Sequence, residues 1–407
     1  MNFHHHQLKN GLEIITERMP YAQSVSFAFF IRCGSCNESP EIAGVSHFLE
    51  HMVFKGNQKW SAEKVNRTLD AIGANFNACT TEEYTVYYAS VLPEYLEAAV
   101  EVFADILNPV CREEDFESEK RVILEEIQMY EESPPFGADE RLREEFFGEH
   151  PLGHSILGTV ASVSALTPQQ MRNYLMERYL PGNITFVACG KVCDEEVIQM
   201  INKYCGAWEN HGFFVPGFQP FTKPNLGERK INRPLATQHY ILSNALAPPR
   251  VSELRYAARV FHSVVGDDSG SRLYWELVDN GWAEHAVLSY TEYAQAGVFT
   301  TSMCCEPEDG DRNMEVIHQL YQKLQKKVIT EDELQLAKNR IATALVLSSE
   351  KSWGRLFMVG SEWVNTHQYY TVSEEMQLLK TVSLADIHAV IEQYPLTKSL
   401  TYRIGAD

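Results

Sequence analysis

Gly44-Val45-Ser46-His47-Phe48-Leu49-Glu50-His51-Met52-Val53-Phe54 reads as a helix. Phe48, Leu49, Met52 and Val53 can pack one side of it into a core. His47 and His51, four residues apart, lie one above the other on the same face, with Glu50 beside them. Two neutral nitrogen donors and a nearby carboxylate are what a catalytic zinc ion requires. The order H-x-x-E-H, the inverse of H-E-x-x-H, is a signature of zinc peptidases, with Glu50 as the general base. The competing reading is a solvated helix face that carries two ordinary histidines and an acid.

Elements on either side of this helix set its context. Gly11 to Thr16 and Ser24 to Ile31 have the β-branched and aromatic character of strands, and His4-His5-His6 reads as a polar lead-in to the first of them. Ser61 opens a helix that runs to about Ile72, and Asn75 to Val91 returns to strand character. Pro93 opens a helix to about Leu107, Glu113 to Tyr130 is a longer helix, and Thr167 to Tyr179 precedes a strand at Ile184 to Ala188. The Pro-, Gly- and Phe-rich stretch from His211 marks a linker. Beyond it the order repeats: a strand at Gln238 to Leu242, a helix at Ser252 to Val265, strands within Gly281 to Met303, and helices at Asn313 to Lys326 and Thr330 to Ser348. The expected fold is α+β, two homologous halves, each a mostly antiparallel sheet with helices packed on one face. The halves are a zinc-bearing domain over 1–210 and a similar non-catalytic domain over 229–407, joined by 211–228.

Bulk properties agree with a globular chain. Its 407 residues suggest at least two domains, and 44% hydrophobic with 22% charged residues is a globular composition. The 35 Lys and Arg against 55 Asp and Glu give a net charge of -20, which argues against nucleic-acid or anionic-membrane binding. No apolar run is long enough to span a bilayer, and the start lacks a basic segment followed by an apolar one, so a cytoplasmic location is expected. The nine cysteines are odd in number and scattered, which suits free thiols in a reducing compartment. Cys33 and Cys36 have the spacing of a redox or zinc pair, without a second pair to accompany them.

A catalytic zinc needs a third protein ligand. The helix over 113–130 supplies candidates: Glu119 and Glu126 are seven apart on one face, and Glu125 points about 100° away from Glu126. Spacing alone leaves Glu125 and Glu126 both open. The sequence resembles the pitrilysin/insulinase (inverzincin) family of zinc metallopeptidases, especially the short-chain branch that includes mitochondrial processing peptidase and bacterial homologues. The resemblance rests on Asn10-Gly11-Leu12, Gly34-Ser35 with Glu38, Gly44 through Gly56, Asn77-Ala78-Cys79-Thr80, Glu119 to Glu126, His150-Pro151-Leu152-Gly153 with Gly158, and Gly270 to Leu273. It implies that Glu126 is the third ligand, that Glu119 supports the site, and that Asn77-Ala78 lies on a strand edge that pairs with extended peptide substrate. Arg272 matches a substrate-contacting Arg of the family, whereas Glu284 stands where the family often has a Tyr.

Aligning Lys338 with Lys120 sets Ala337 and Ala344 opposite Glu119 and Glu126, and aligning Gly266 with Gly56 sets Ala257, Val260 and Phe261 opposite His47, Glu50 and His51. The second half is therefore expected to keep the architecture without the ligands. The expected function is a zinc-dependent endopeptidase that acts on unfolded peptides or small proteins in an enclosed chamber. It is expected to pair with a second copy or a related subunit. The alternative is a non-catalytic assembly or substrate-presenting subunit of the same fold.

Overall fold

Aromatic and β-branched runs form two sheets in a computed structural model that describes residues 2–212, 220–234, 236–326 and 329–406. The first sheet comprises β1 (Asn2–Gln7), β2 (Glu13–Arg18), β3 (Val25–Ile31), β4 (Asn75–Thr80), β5 (Thr85–Val91) and β6 (Ile184–Gly190). The second comprises β7 (Gly227–Asn232), β8 (His239–Leu246), β9 (His285–Glu292), β10 (Gly297–Cys305) and β11 (Ser399–Gly405). The helices are α1 (Val45–Phe54), α2 (Ala62–Ala71), α3 (Leu96–Ile106), α4 (Glu113–Glu132), α5 (Ala138–Phe147), α6 (Val160–Ala165), α7 (Pro168–Arg178) and α8 (Asp194–Cys205). They continue with α9 (Arg255–Gly266), α10 (Gly310–Leu324), α11 (Glu331–Ser349), α12 (Ser352–Thr366), α13 (Val372–Thr381) and α14 (Leu384–Gln393).

Strand order is β1-β2-β6-β3-β5-β4 in one sheet and β7-β11-β8-β10-β9 in the other. Within each sheet one pair is parallel, β2 with β6 and β7 with β11, and the others are antiparallel. The expected α+β fold of two similar, mostly antiparallel halves is what the molecule has. One expectation is corrected: His4, His5 and His6 belong to a strand of their own, β1, paired residue for residue with β2. As an edge strand half open to solvent it needs no apolar alternation, and so gave no periodic signal.

Two compact units are each assembled from three stretches of chain. One takes Met1–Met129, His154–Gly217 and Leu347–Tyr369; the other takes Tyr130–Gly153, Phe218–Val346 and Tyr370–Asp407. Each sheet keeps to one sequence half, yet each unit borrows a helix from the other half. Residues 213–219 of the expected linker lie outside the described residues.

In the first unit β3 is buried along its whole length because both faces of the sheet are covered. Val25, Phe27, Phe29 and Ile31 join Phe48, Phe103 and Phe186 in one core, while Ala28 and Phe30 meet Leu356 and Val359 of α12 in another. In the second unit α5 covers the back of its sheet, where the Tyr402 hydroxyl donates to Glu145 Oε2 at 2.6 Å. The borrowed helix of the first unit carries a charge into the dry layer. Arg355, 1% exposed, donates from Nε and Nη2 to the two oxygens of Glu17, 0% exposed, at 2.9 and 2.5 Å.

Two ions so buried repay their desolvation only in this bidentate geometry, so removing one partner strands the other. Arg355→Met should cost about 3–5 kcal/mol in denaturant unfolding. The double variant Glu17→Leu/Arg355→Met should recover most of that loss. A single-variant loss below about 1 kcal/mol, the range of a surface pair, would contradict this account.

Candidate metal centre

Helix α1 is fixed at its start by an acid upstream of it. Glu38 Oε2 and Oε1 accept the backbone N–H groups of Gly44 and Ser46, each at 2.7 Å, and so satisfy donors that a helix N-terminus leaves unpaired. Burial pushes the Glu38 carboxyl up to about 8, against the pull of those two amides. Gly44 has φ +91°, and a Cβ there would meet the Leu157 carbonyl at 2.5 Å, so the chain can enter the helix at this point only through glycine. Ser46 Oγ and Tyr174 OH share a hydrogen bond at 2.7 Å. With Phe48, Leu49, Met52 and Val53 buried, the opposite side of α1 presents His47, Glu50 and His51.

Helix α4 brings the acid. His47 Nε2 lies 3.8 Å and His51 Nε2 3.9 Å from the same oxygen of Glu126. These separations are too long for hydrogen bonds. They approach the roughly 3.3 Å between donor atoms that bonds of about 2.0–2.1 Å to one tetrahedral ion produce. Three lone-pair donors thus converge within 4.8 Å of one another without bonding among themselves, and they fit a metal ion of the zinc class. Among the described residues no other His, Cys, Asp or Glu group does so. Glu125, the other candidate left by spacing, points to solvent.

The neighbouring groups orient these donors. Glu119 Oε1 lies 2.8 Å from His51 Nδ1, which places that ring proton on Nδ1 and turns Nε2 toward Glu126. Lys55 Nζ forms an ion pair with the other oxygen of Glu119. Glu50 Oε2 accepts the Thr80 hydroxyl at 2.5 Å. Thr80, Lys55 and Glu38 were not singled out from sequence as site residues; only the fold shows what each one touches.

Charges follow from these contacts. Burial above all, then the nearby His51, drives the His47 imidazole down to about 3, so this ring stays neutral. Burial also opposes charge on His51, but the Glu119 hydrogen bond and the charges of Glu119, Glu50 and Glu126 outweigh it and raise His51. The His51 hydrogen bond and Lys55 hold Glu119 low despite its burial. Burial, aided by Glu126 and opposed by Thr80 and His51, raises Glu50, in the direction a general base needs.

The remaining expected residues fall in several places. Asn77 and Ala78 lie on β4, the edge strand of the first sheet. Asn77 Oδ1 accepts the Ala78 N–H at 2.9 Å, so a side chain covers this edge amide. Arg272 lies in the second unit, bidentate to Glu333 at 2.7 and 2.9 Å. Glu284 accepts from Gln238 Nε2 at 2.6 Å. Cys33 and Cys36 are buried free thiols, and burial pushes Cys33 up to about 12.

The second sheet corrects the expected alignment by one residue. Thr80 pairs with Thr85 and Glu292 with Gly297, each just before the turn that closes the hairpin, so Glu292 matches Thr80. Glu292 takes the Arg259 guanidinium in the way that Thr80 meets Glu50. Tyr256, Arg259 and Val260 therefore stand where His47, Glu50 and His51 stand. Neither histidine position holds a His in the second half, and a guanidinium takes the place of the Glu50 carboxylate. Lys338 does match Lys120: each ammonium donates to a backbone carbonyl, Lys380 O at 2.9 Å and Leu166 O at 2.8 Å.

Two such repeats, with two histidines and a glutamate converging in the first, define a two-repeat α+β architecture with one candidate metal centre. The family model of insulinase, peptidase family M16, matches residues 13–160, and that of the peptidase M16 inactive domain matches 165–341. A protein of Mycobacterium leprae named uncharacterized zinc protease is 30% identical over 390 residues, 95% of this chain and 88% of that protein. One of the same name from Bacillus subtilis is 30% identical over 388 residues, 95% of this chain and 94% of its own. The chain belongs to the M16 peptidase family. A protease from Helicobacter pylori shares the fold with a TM-score of 0.93 at 20% identity, over 99% of each chain. A peptidase M16 inactive domain from Pseudomonas fluorescens does so with 0.92 at 16% identity, over 100% of this chain and 98% of that one.

The two histidines should be distinguishable by NMR in metal-free protein. His47 should stay neutral across roughly pH 5–8, since its folded value is near 3. His51 should protonate above the ordinary 6.5. Its pairing therefore contributes stability below pH 6.5 that is lost as pH rises through the folded value. Glu119→Gln should move the His51 midpoint down, and an unmoved midpoint would refute the assigned partner.

Proposed function

We propose that the chain is a zinc-dependent endopeptidase, with zinc held by His47, His51 and Glu126 and with Glu50 as the general base. The observation that carries this reading is the convergence of His47 Nε2 and His51 Nε2 on one oxygen of Glu126, at 3.8 and 3.9 Å, beside the half-buried Glu50 carboxylate. When bound there, zinc supplies a Lewis acid that polarises a carbonyl and lowers the pKa of water to about 7.

The chain's own residues carry the protons. Glu50 accepts the proton of the attacking water and returns it to the nitrogen of the departing amine. Its upward shift suits both halves of that exchange, and the Thr80 hydroxyl holds the carboxylate in place between them. Glu119 keeps His51 in the tautomer that donates from Nε2, and Lys55 keeps Glu119 charged. Substrate pairs in extended form with the outer edge of β4 at Asn77 and Ala78, by backbone bonds that are indifferent to sequence. The side-chain contact at Ala78 N–H must yield to the peptide. Arg272 of the second repeat is a further proposed substrate contact. The family resemblance favours assembly as a dimer, with an identical or a related chain.

A second reading, a non-catalytic assembly or substrate-presenting subunit, is favoured by Glu284 at the usual Tyr position. Zinc content separates the two, because a chain that takes up essentially no zinc belongs to the second. For the first, chelation should abolish cleavage of a mixed peptide library and added zinc should restore it. Glu50→Gln should keep zinc and fold while cleavage falls by at least about a hundredfold. Substantial residual cleavage would remove Glu50 from the base role.

A further inference from the structure

Histidines on α1 and a carboxylate on α4 can share one ion only if the two helices keep a fixed angle. Glu126 is fourteen residues beyond Arg112, which immediately precedes α4. At 1.5 Å per residue that lever is about 21 Å long, so a tilt of about 3° at its base moves Glu126 by about 1 Å. Metal sites tolerate about 0.2 Å. Something must therefore hold the base of α4 against α1.

Arg112 is placed to do so. Its Nη2 donates to the Lys55 carbonyl at 2.6 Å and its Nη1 to the Asn57 carbonyl at 3.1 Å, while Nε donates to Asp115 Oδ2 at 2.5 Å within the first turn of α4. One planar fork thus spans the end of α1 and the beginning of α4. The Lys55 carbonyl is at the negative end of α1, where a cation is favoured, and the Asn57 carbonyl belongs to the turn that follows. The gripped turn is itself rigid: Gly56 has φ +79° with the Trp60 carbonyl 2.1 Å from where a Cβ would sit, and Asn57 Nδ2 donates to the Asp105 carbonyl at 2.7 Å. Cys111, directly before Arg112, adopts φ +50°, a conformation that costs a non-glycine residue roughly 1–2 kcal/mol.

A second tie lies farther up the same pair of helices. Lys55, whose carbonyl Arg112 holds, extends its ammonium to Glu119, and Glu119 in turn holds His51. Resting on the zinc reading above, we propose that Arg112 and Lys55 are positioning residues that fix the α1–α4 angle and so set the metal affinity of the centre. Neither touches the metal position. Arg112 acts on where Glu126 arrives, and Lys55 acts through Glu119 on the aim of His51.

The test is zinc affinity of the full chain by competition with a chromophoric chelator, read beside the melting temperature of the metal-free protein. Arg112→Gln and Lys55→Met should each weaken zinc binding by about tenfold to a hundredfold. Arg112→Lys, which keeps charge but loses the fork, should fall between Arg112→Gln and wild type. Arg172→Gln is the control: its Nη1 donates to the Cys111 carbonyl at 3.2 Å in the same loop but not to α1, and it should leave zinc affinity within about twofold. Unchanged affinity in Arg112→Gln, or an equal loss in Arg172→Gln, overturns the proposal. Should Arg112→Gln fail to fold, Lys55→Met decides, because that side chain is partly exposed and unchanged affinity there likewise overturns it. Wild-type protein that binds no zinc would instead refute the underlying reading.

Discussion

Helix α1 turns its apolar face into the core, and nearly everything else in the first unit follows from which face that is. Phe48, Leu49, Met52 and Val53 are inaccessible to solvent or nearly so, which commits His47, Glu50 and His51 to the other side. A buried face of this size fixes the rotation of the helix about its axis but not its displacement along that axis. Glu38 supplies the latter at one end, through the Gly44 and Ser46 amides, and Arg112 at the other, through the Lys55 and Asn57 carbonyls. The polar groups that look incidental to the site are those that define the position of its helix.

The repeat gives an internal comparison. Apart from β1, the second sheet has the same pairing pattern, and α9 packs on β9 as α1 packs on β4. Where Glu50 meets Thr80, Arg259 meets Glu292, so the sign of the helix-borne charge is inverted while the contact between helix and strand is kept. A polar bond between this helix and this strand is thus compatible with the architecture in either polarity. The histidines are different, since Tyr256 and Val260 fill their places without loss of the fold. Architecture accounts for a polar link at Glu50 but not for His47 and His51.

Much of this could be read directly from the sequence, and the omissions have physical reasons. The shared face of His47 and His51 was legible because helical period places them together whatever surrounds them. The choice between Glu125 and Glu126 was not, because adjacent residues on an amphipathic helix differ only in what they face. The strands β3 and β5 were legible from their aromatic and β-branched content, while β1 was hidden by its run of three polar histidines. Helices α5 and α12 cover the backs of sheets built from the opposite sequence half, a contact that no local pattern records. The one-residue slip in the second-half alignment has the same origin. Gly56 and Gly266 resemble each other in sequence, but only Gly56 has a positive φ, so they are not the same turn.

Strand β4 ties base and substrate together in the proposed reaction. Thr80 points inward and holds Glu50, while Asn77 and Ala78, three and two residues earlier, offer the edge on which a peptide would lie. A peptide added to that edge takes its register from the β4 backbone. The base takes its position from the same backbone, through a hydroxyl at 2.5 Å. Successive residues of a strand are about 3.3 Å apart, so scissile bond and base are measured from one ruler within two or three divisions. Glu50 itself belongs to α1, so displacement of β4 relative to that helix would part base from peptide if nothing tied the two elements. The separation that can still drift is the one between β4 and the metal helix, and the Thr80–Glu50 hydrogen bond closes it. The Thr80 end of that bond is buried, so loss of the carboxylate leaves its hydroxyl without a partner. The contact that positions the base is therefore also one the fold cannot readily relinquish.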